Sequence, residues 1–249
     1  MIHYILIMNH FDIVIPLGPN DINHIVTMIH HTKQNIVGYR NIYIVSYDPT
    51  IHIDGCITID ETIFPFNKKL VSTYIGNEIR SGWYLQQLIK LYASFVIKDM
   101  LDDYLVIDSD TFFLKPTSFF MDHKPLYNFG DEHHIPYFDH MKKLHPTLVR
   151  KSNVSGICHH MLFQKKILIH LFKLIEDYHH EPFYISFLKC IHPNYNLYSG
   201  ASEYEIYFNF LHIYHSNTFL IRELNWKNTS FNPHHQQFDY ISDHWYTHS

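Results

Sequence analysis

Short apolar runs that end in turn residues, separated by stretches of helical period, are what most constrain this chain. Phe11 to Leu17 reads FDIVIPL and stops at Gly18-Pro19. Asn41 to Ser46 (NIYIVS) is closed by Tyr47-Asp48-Pro49, Cys56 to Ile59 is a third short run, and Tyr104 to Ile107 (YLVI) is a fourth. Between them, Asn20 and Asp21 are N-cap types ahead of a helical pattern from Ile22 to about His31. Ser81 is placed to cap another helix, in which Leu85, Leu88, Leu91, Tyr92, Phe95 and Val96 keep a 3.6-residue period. Strands that are apolar throughout and alternate with helices imply βαβ units and a largely parallel sheet covered on both faces. The expected fold class is therefore α/β, an open mixed, mostly parallel sheet flanked by helices.

The second half is less regular. Leu126 to Phe129 and Thr218 to Glu223 read as strands, and Ser155 to Phe163 as a loop leading into a strand. Gln164 to Tyr178, Pro182 to Cys190 and Ser202 to His212 read as helices. With no linker, repeat or low-complexity tract, residues 1–249 are expected to form one domain.

Composition excludes several function classes. A net charge of -5 without a long basic run argues against nucleic-acid binding. The three cysteines, Cys56, Cys158 and Cys190, are widely spaced and form no CxxC, which implies reduced thiols and a cytoplasmic setting. The N-terminal MIHYILIMNH has no Lys or Arg at its start. No run reaches the ~18 to 20 apolar residues of a membrane span. An ordinary first strand is expected there rather than a signal peptide. The 23 histidines are scattered and contain no HExxH.

The run Tyr104–Ile107 ends in Asp108-Ser109-Asp110. Ligands in open α/β sheets bind outside the C-terminal ends of strands, which is where this pair falls. Two carboxylates so close repel unless a cation joins them, and Mg²⁺ or Mn²⁺ takes carboxylates together with substrate phosphates. With no GxGxxG and no GxxxxGK[ST], a dinucleotide site and a P-loop are both disfavoured. A metal-dependent phosphatase or phosphotransferase also carries DxD after a strand, but with Thr or Val where this chain has Phe112.

Four segments carry a resemblance to a known family: IVIPLGPND (Ile13 to Asp21), SGWYLQQLIKLYAS (Ser81 to Ser94) ahead of YLVIDSDTFFLKP, SGICHHMLF (Ser155 to Phe163) and SGASEYEIYFNF (Ser199 to Phe210). DYISDHWY (Asp239 to Tyr246) adds a C-terminal piece. Together they resemble DxD-containing glycosyltransferases of the GT-A fold, within a group found in bacteria and large DNA viruses. The resemblance implies transfer of a sugar from a nucleotide-diphosphate sugar, UDP-linked by default, to a hydroxyl of a glycan, lipid or protein. Residues 1–115 would bind the nucleotide and 116–249 the acceptor. A non-catalytic nucleotide-sugar-binding relative is the other alternative.

Carried over by position, the resemblance implies Mn²⁺ or Mg²⁺ at Asp108, Asp110 and His244, with His248 as the fallback histidine. It places Pro16, Leu17, Asp21, Arg80, Lys90, Asp108 and Ser109 around the nucleotide sugar, Lys90 facing the diphosphate. For Asp21 a plain helix cap is the favoured reading of the residues. Of the neighbours His159 and His160, whose side chains leave a strand on opposite faces, His160 is expected on the acceptor side. Ser202-x-x-Glu205 reads as a capping box. That leaves Glu203, in the first helical turn, as the expected base for the acceptor hydroxyl, with Glu205 beside it. The C-terminal tail is expected to close the site through His244.

Overall fold

The strand Phe11–Leu17 lies at the centre of a five-stranded sheet in the computed structural model, which describes residues 11–232 and 234–244. Across the sheet the order is His160–Gln164, Asp103–Ile107, Phe11–Leu17, Tyr39–Ser46, Ile57–Asp60. All neighbours are parallel except His160–Gln164, which runs antiparallel to Asp103–Ile107. Ile13, Val14 and Ile15 are all fully buried, so both faces of the central strand are covered, as its unbroken apolar run predicts. The expected α/β class, a mixed and mostly parallel sheet with flanking helices, is the fold observed.

Strand order reverses at the central strand. The chain builds outward from it through Tyr39–Ser46 to Ile57–Asp60, then returns to place Asp103–Ile107 on its other side. The ladder to Asp103–Ile107 runs from Asp12–Tyr104 to Val14–Val106, whereas the ladder to Tyr39–Ser46 continues to Leu17–Ser46. Pro16 lies past the end of the shorter ladder, where its missing N–H costs no bond to that neighbour. The two strands diverge at their C-terminal ends, and such a switch point is where open α/β sheets bind ligands.

Several elements differ from expectation. The first helix spans Ile25–Asn35, not Ile22 onward, because a 3-10 turn at Pro19–Asp21 intervenes. Ser81 is the first residue of the helix Ser81–Val96 rather than its cap, and its hydroxyl donates to the carbonyl of Glu78 at 2.6 Å. Helix Lys68–Ile75 was not expected, although Asn67 caps it through the Leu70 N–H and Gly76 ends it at φ 74°. Helix Ile135–Leu144 was also missed, since its buried face is made partly of Pro136, Tyr137 and His140, which blur the apolar period. The strand expected over Thr218–Glu223 shortens to Leu220–Ile221, paired with Lys124–Tyr127.

The end of the chain returns to the DSD region. Tyr240–Ser242 pairs antiparallel with Thr111–Phe113, and Trp226–Asn228 pairs parallel with Tyr240–Ser242. The expectations for Met1 to His10 and for Trp245, Tyr246 and His248 lie outside the described residues. Among the described residues no helix is long and apolar enough to cross a membrane.

One buried carboxylate ties the central strand to its surroundings. Asp12 is fully buried; it accepts from Arg40 at 3.0 and 2.6 Å and from the backbone N–H groups of Asn41 and Leu101 at 3.1 and 2.8 Å. Arg40→Met should destabilise the fold in urea denaturation, but by less than the loss of a fully buried pair, since the Arg40 side chain is 39% exposed and two backbone donors to Asp12 remain.

Two buried histidines contribute to the acid sensitivity of the fold. Burial pushes His140 down to about 4 and His160 down to about 3, so both are neutral in the folded chain at pH 7. The unfolded chain protonates near the ordinary value of 6.5 and so binds more protons between that pH and the folded value. Stability should therefore fall as pH drops below about 6.5, at up to ~1.4 kcal/mol per pH unit for each histidine. Urea titrations across this range should show it. His140→Gln, which keeps a donor for the carbonyl of Phe187, should decline less steeply.

Candidate functional site

The turn after Asp103–Ile107 is fixed through its backbone. The Asp108 N–H donates to the carbonyl of His159 at 3.0 Å, and the Thr111 N–H donates to the carbonyl of Asp108 at 3.0 Å. Around this turn the structure gathers side chains from the helices Ser81–Val96 and Glu203–Tyr214, the loop after the first strand, and the C-terminal segment.

Lys90 is the centre of the first group. It is 4% exposed, and its ammonium lies 2.6 Å from Asp108 Oδ1 and 2.7 Å from Glu203 Oε1. The ammonium also sits 4.5 Å above the ring centre of Tyr204, whose hydroxyl donates to Asp108 Oδ1 at 2.8 Å. His159 Nδ1 stands 3.4 Å from Asp108 Oδ2. Burial works to raise Asp108, but Lys90 first and His159 second more than offset it, and Asp108 is held well below the usual carboxylate range. Burial would likewise lower Lys90, and the two carboxylates reverse this, so it stays charged. Glu203 is pushed up by burial and by the charge of Asp108, against the opposing pull of Lys90. Gln87 orients this helix start by accepting from the Glu203 N–H at 3.1 Å.

The second group surrounds Asp110. Its Oδ2 lies 2.7 Å from His244 Nδ1, and its Oδ1 accepts from the Ser242 hydroxyl at 3.3 Å. The Asp243 N–H donates to the Asp110 carbonyl at 2.8 Å. Burial acts to lower His244, but the bond to Asp110 and the charges of Asp110, Asp108 and Asp21 raise it. Ser109 donates to Asp21 Oδ2 at 2.5 Å, joining the turn to the loop after the first strand. Asp21 is raised by burial and by the neighbouring Asp110 and Asp108, with the Ser109 bond opposing.

The expected site residues fall into two sets. Asp21, Lys90, Asp108, Ser109, Asp110, Glu203 and His244 converge on the turn, and Pro16 and Leu17 form the strand end beside it. Several of them do different work from that expected. Asp21 is not a helix cap; its carboxylate holds Ser109. Lys90 does not face open space for a diphosphate, because both of its contacts are internal. Glu203 is 3% exposed and accepts from Lys90, which joins it to Asp108.

Three others lie apart from the turn. Arg80 stacks its guanidinium 4.4 Å from the Trp83 ring centre and donates to Ser199 Oγ at 3.3 Å. Ser202 does cap its helix by accepting from the Glu205 N–H, but the Glu205 carboxylate turns to Ser155 and Asn209. His160 packs among Phe113, Phe119 and Tyr240 in the core instead of the acceptor side. Its neighbour His159 faces Asp108, from a backbone at φ 62° that few non-glycine residues adopt. Tyr204 was missed altogether. Nothing in the sequence separates it from the other aromatic residues of SEYEIYFNF.

The donor set fits a hard divalent cation in kind. Among the described residues no three His, Cys, Asp or Glu side chains are arranged to hold a metal. Asp108 is taken by Lys90 and Tyr204, which leaves Asp110 and His244 as the paired candidates. Mg²⁺-type sites commonly use one or two carboxylates and fill the remaining positions with water and substrate phosphate, so such a pair suffices in number.

Removing the cation between Asp108 and Glu203 leaves two buried carboxylates without a counter-charge. Lys90→Met should lower stability by ~3–5 kcal/mol in urea denaturation. Glu203→Gln should cost less, because the ammonium keeps Asp108 and the amide oxygen still accepts.

The apo crystal structure of mouse xyloside xylosyltransferase 1 aligns with a TM-score of 0.48 at 9% identity, covering 96% of this chain and 99% of that one. No curated protein matches the sequence. Residues 11–248 match the family of unknown function DUF6492, and the chain belongs to that family.

Proposed function

We propose that this protein is a metal-dependent glycosyltransferase of the GT-A type that moves a sugar from a nucleotide-diphosphate sugar, UDP-linked by default, to a hydroxyl acceptor. One observation carries the reading. The chain brings His244 to Asp110 across 134 residues, on a turn that opens at the sheet's switch point. The sequence resemblance supplies the reaction class.

In this reading Asp110 and His244 hold Mn²⁺ or Mg²⁺. When bound, the cation neutralises negative charge that develops on the departing nucleoside diphosphate. Asp108 is kept ionised and immobile by Lys90 and Tyr204 and faces the donor as a fixed acceptor of hydrogen bonds. The Asp21–Ser109 bond keeps the turn against the strand end at Pro16 and Leu17, where the nucleoside would lie. In the transfer, the anomeric carbon exchanges its bond to the diphosphate oxygen for one to the acceptor oxygen. The nucleoside diphosphate and the acceptor's proton are the other products.

UDP with Mn²⁺ should raise the melting temperature, since a ligand that binds only the folded state stabilises it. Slow hydrolysis of a nucleotide sugar should be detectable without an acceptor and should stop with EDTA. Asp110→Ala should lose at least ~100-fold in turnover, the scale for removing a group that stabilises transition-state charge, while remaining folded. Full turnover by Asp110→Ala in metal-free buffer would overturn the reading.

A further inference from the structure

A cavity of about 780 Å³ lies beside the carboxylate turn, between the loop from Phe129 to Asp131 and the segment from Glu223 to Asn228. The candidate site does not use it. That volume falls within the ~300–1,000 Å³ of small-molecule sites. Its lining sets two aromatic rings, Phe129 and Trp226, among polar groups that include Asp131, Asn153, Glu223 and Asp239.

The indole is held firmly. Trp226 stacks on Tyr240 with ring centres 5.5 Å apart and planes 8° apart, and its edge meets His159 at 5.3 Å. It is only half-buried, and the rest of its surface lines the cavity. Gly130 makes this approach possible: a Cβ there would lie 2.5 Å from the Ile157 carbonyl oxygen and 3.3 Å from the indole. His159 in turn stands 3.4 Å from Asp108 Oδ2 and has its ring centre 4.7 Å from that of His244. The cavity wall at Trp226 is therefore one side chain, His159, away from the turn.

We infer that this cavity is the acceptor subsite and that it takes a neutral carbohydrate. An immobile indole offers an apolar face to the C–H face of a sugar ring. Amides and carboxylates around it match hydroxyls, which donate and accept from one oxygen. Three carboxylates, Asp131, Glu223 and Asp239, against one lysine in the lining, Lys227, disfavour a phosphorylated or uronic acid acceptor by like-charge repulsion. The word acceptor rests on the glycosyl-transfer reading above; binding of a saccharide at Trp226 does not.

The test uses the full chain with lactose, cellobiose and N,N′-diacetylchitobiose as probes at millimolar concentration, and glucuronic acid as the charged control. Binding is read by saturation-transfer NMR and by tryptophan fluorescence. At least one neutral disaccharide should bind, glucuronic acid should not, and Trp226→Ala and Asp131→Ala should each weaken binding by tenfold or more. Both variants should keep the thermal shift with UDP and Mn²⁺. Should Trp226→Ala not fold, Asp131→Ala and Asn153→Ala, on the cavity rim, carry the same comparison. Failure of all three disaccharides to bind, or binding unchanged by the variants, overturns the inference. If saccharide binding tracks Trp226 while UDP and Mn²⁺ give no shift, the glycosyl-transfer reading fails and the saccharide site stands.

Discussion

A buried ammonium between two carboxylates organises this molecule's candidate site. Lys90 joins the end of Asp103–Ile107, through Asp108, to the start of Glu203–Tyr214, through Glu203. Taking three ionised groups out of water is expensive, and apolar residues of the same volume would often serve stability as well or better. What the arrangement supplies instead is position and charge state. Asp108 cannot rotate without uncovering Lys90, and its proton affinity is lowered by Lys90 and then by His159, while the Tyr204 hydroxyl donates to it. The proton affinity of Glu203 is instead raised by burial and by the nearby charge of Asp108, with Lys90 opposing.

The other aspartate of the turn depends on different forces. Asp110 meets His244 because the strand Tyr240–Ser242 is laddered to Thr111–Phe113, with Ser242 opposite Thr111. Their hydroxyls lie 3.1 Å apart, and the aromatic stack of Tyr240 on Phe113 sits behind them. Backbone pairing therefore brings the C-terminal segment to the turn. The two aspartates of the DSD turn are divided in role by their surroundings: one is locked by an internal lysine, the other faces an imidazole.

Much of the fold was legible in the sequence because its signals are local. The run FDIVIPL gave a central strand buried on both faces, and the period of Leu85, Leu88 and Leu91 gave the helix that carries Lys90. The DSD turn was legible for the same reason, as a polar break at the end of an apolar strand. What stayed hidden depends on long-range geometry. Lys90 on a helix reads equally as a surface residue until strand order brings Asp108 and Glu203 to it. The choice between His159 and His160 turned on one backbone angle. Strand alternation separates the two rings but does not say which one faces the turn, and the left-handed conformation at His159 has no marker in GICHHMLF. Asn67 and Gly76, by contrast, are local helix start and stop signals.

His159 also sets the shape of the region. Its ring lies between Asp108, His244 and Trp226, at the boundary between the turn and the cavity. On one side, the strands diverge past Val14 and Val106 and leave the crevice at Pro16 and Leu17. Toward Trp226, the missing Cβ of Gly130 lets the backbone pass close to the indole, which lines an open cavity. His159 thus joins to the DSD turn a region that depends on a glycine for its close packing, while the turn's other neighbour, Asp21, reaches it from the loop after the central strand through Ser109.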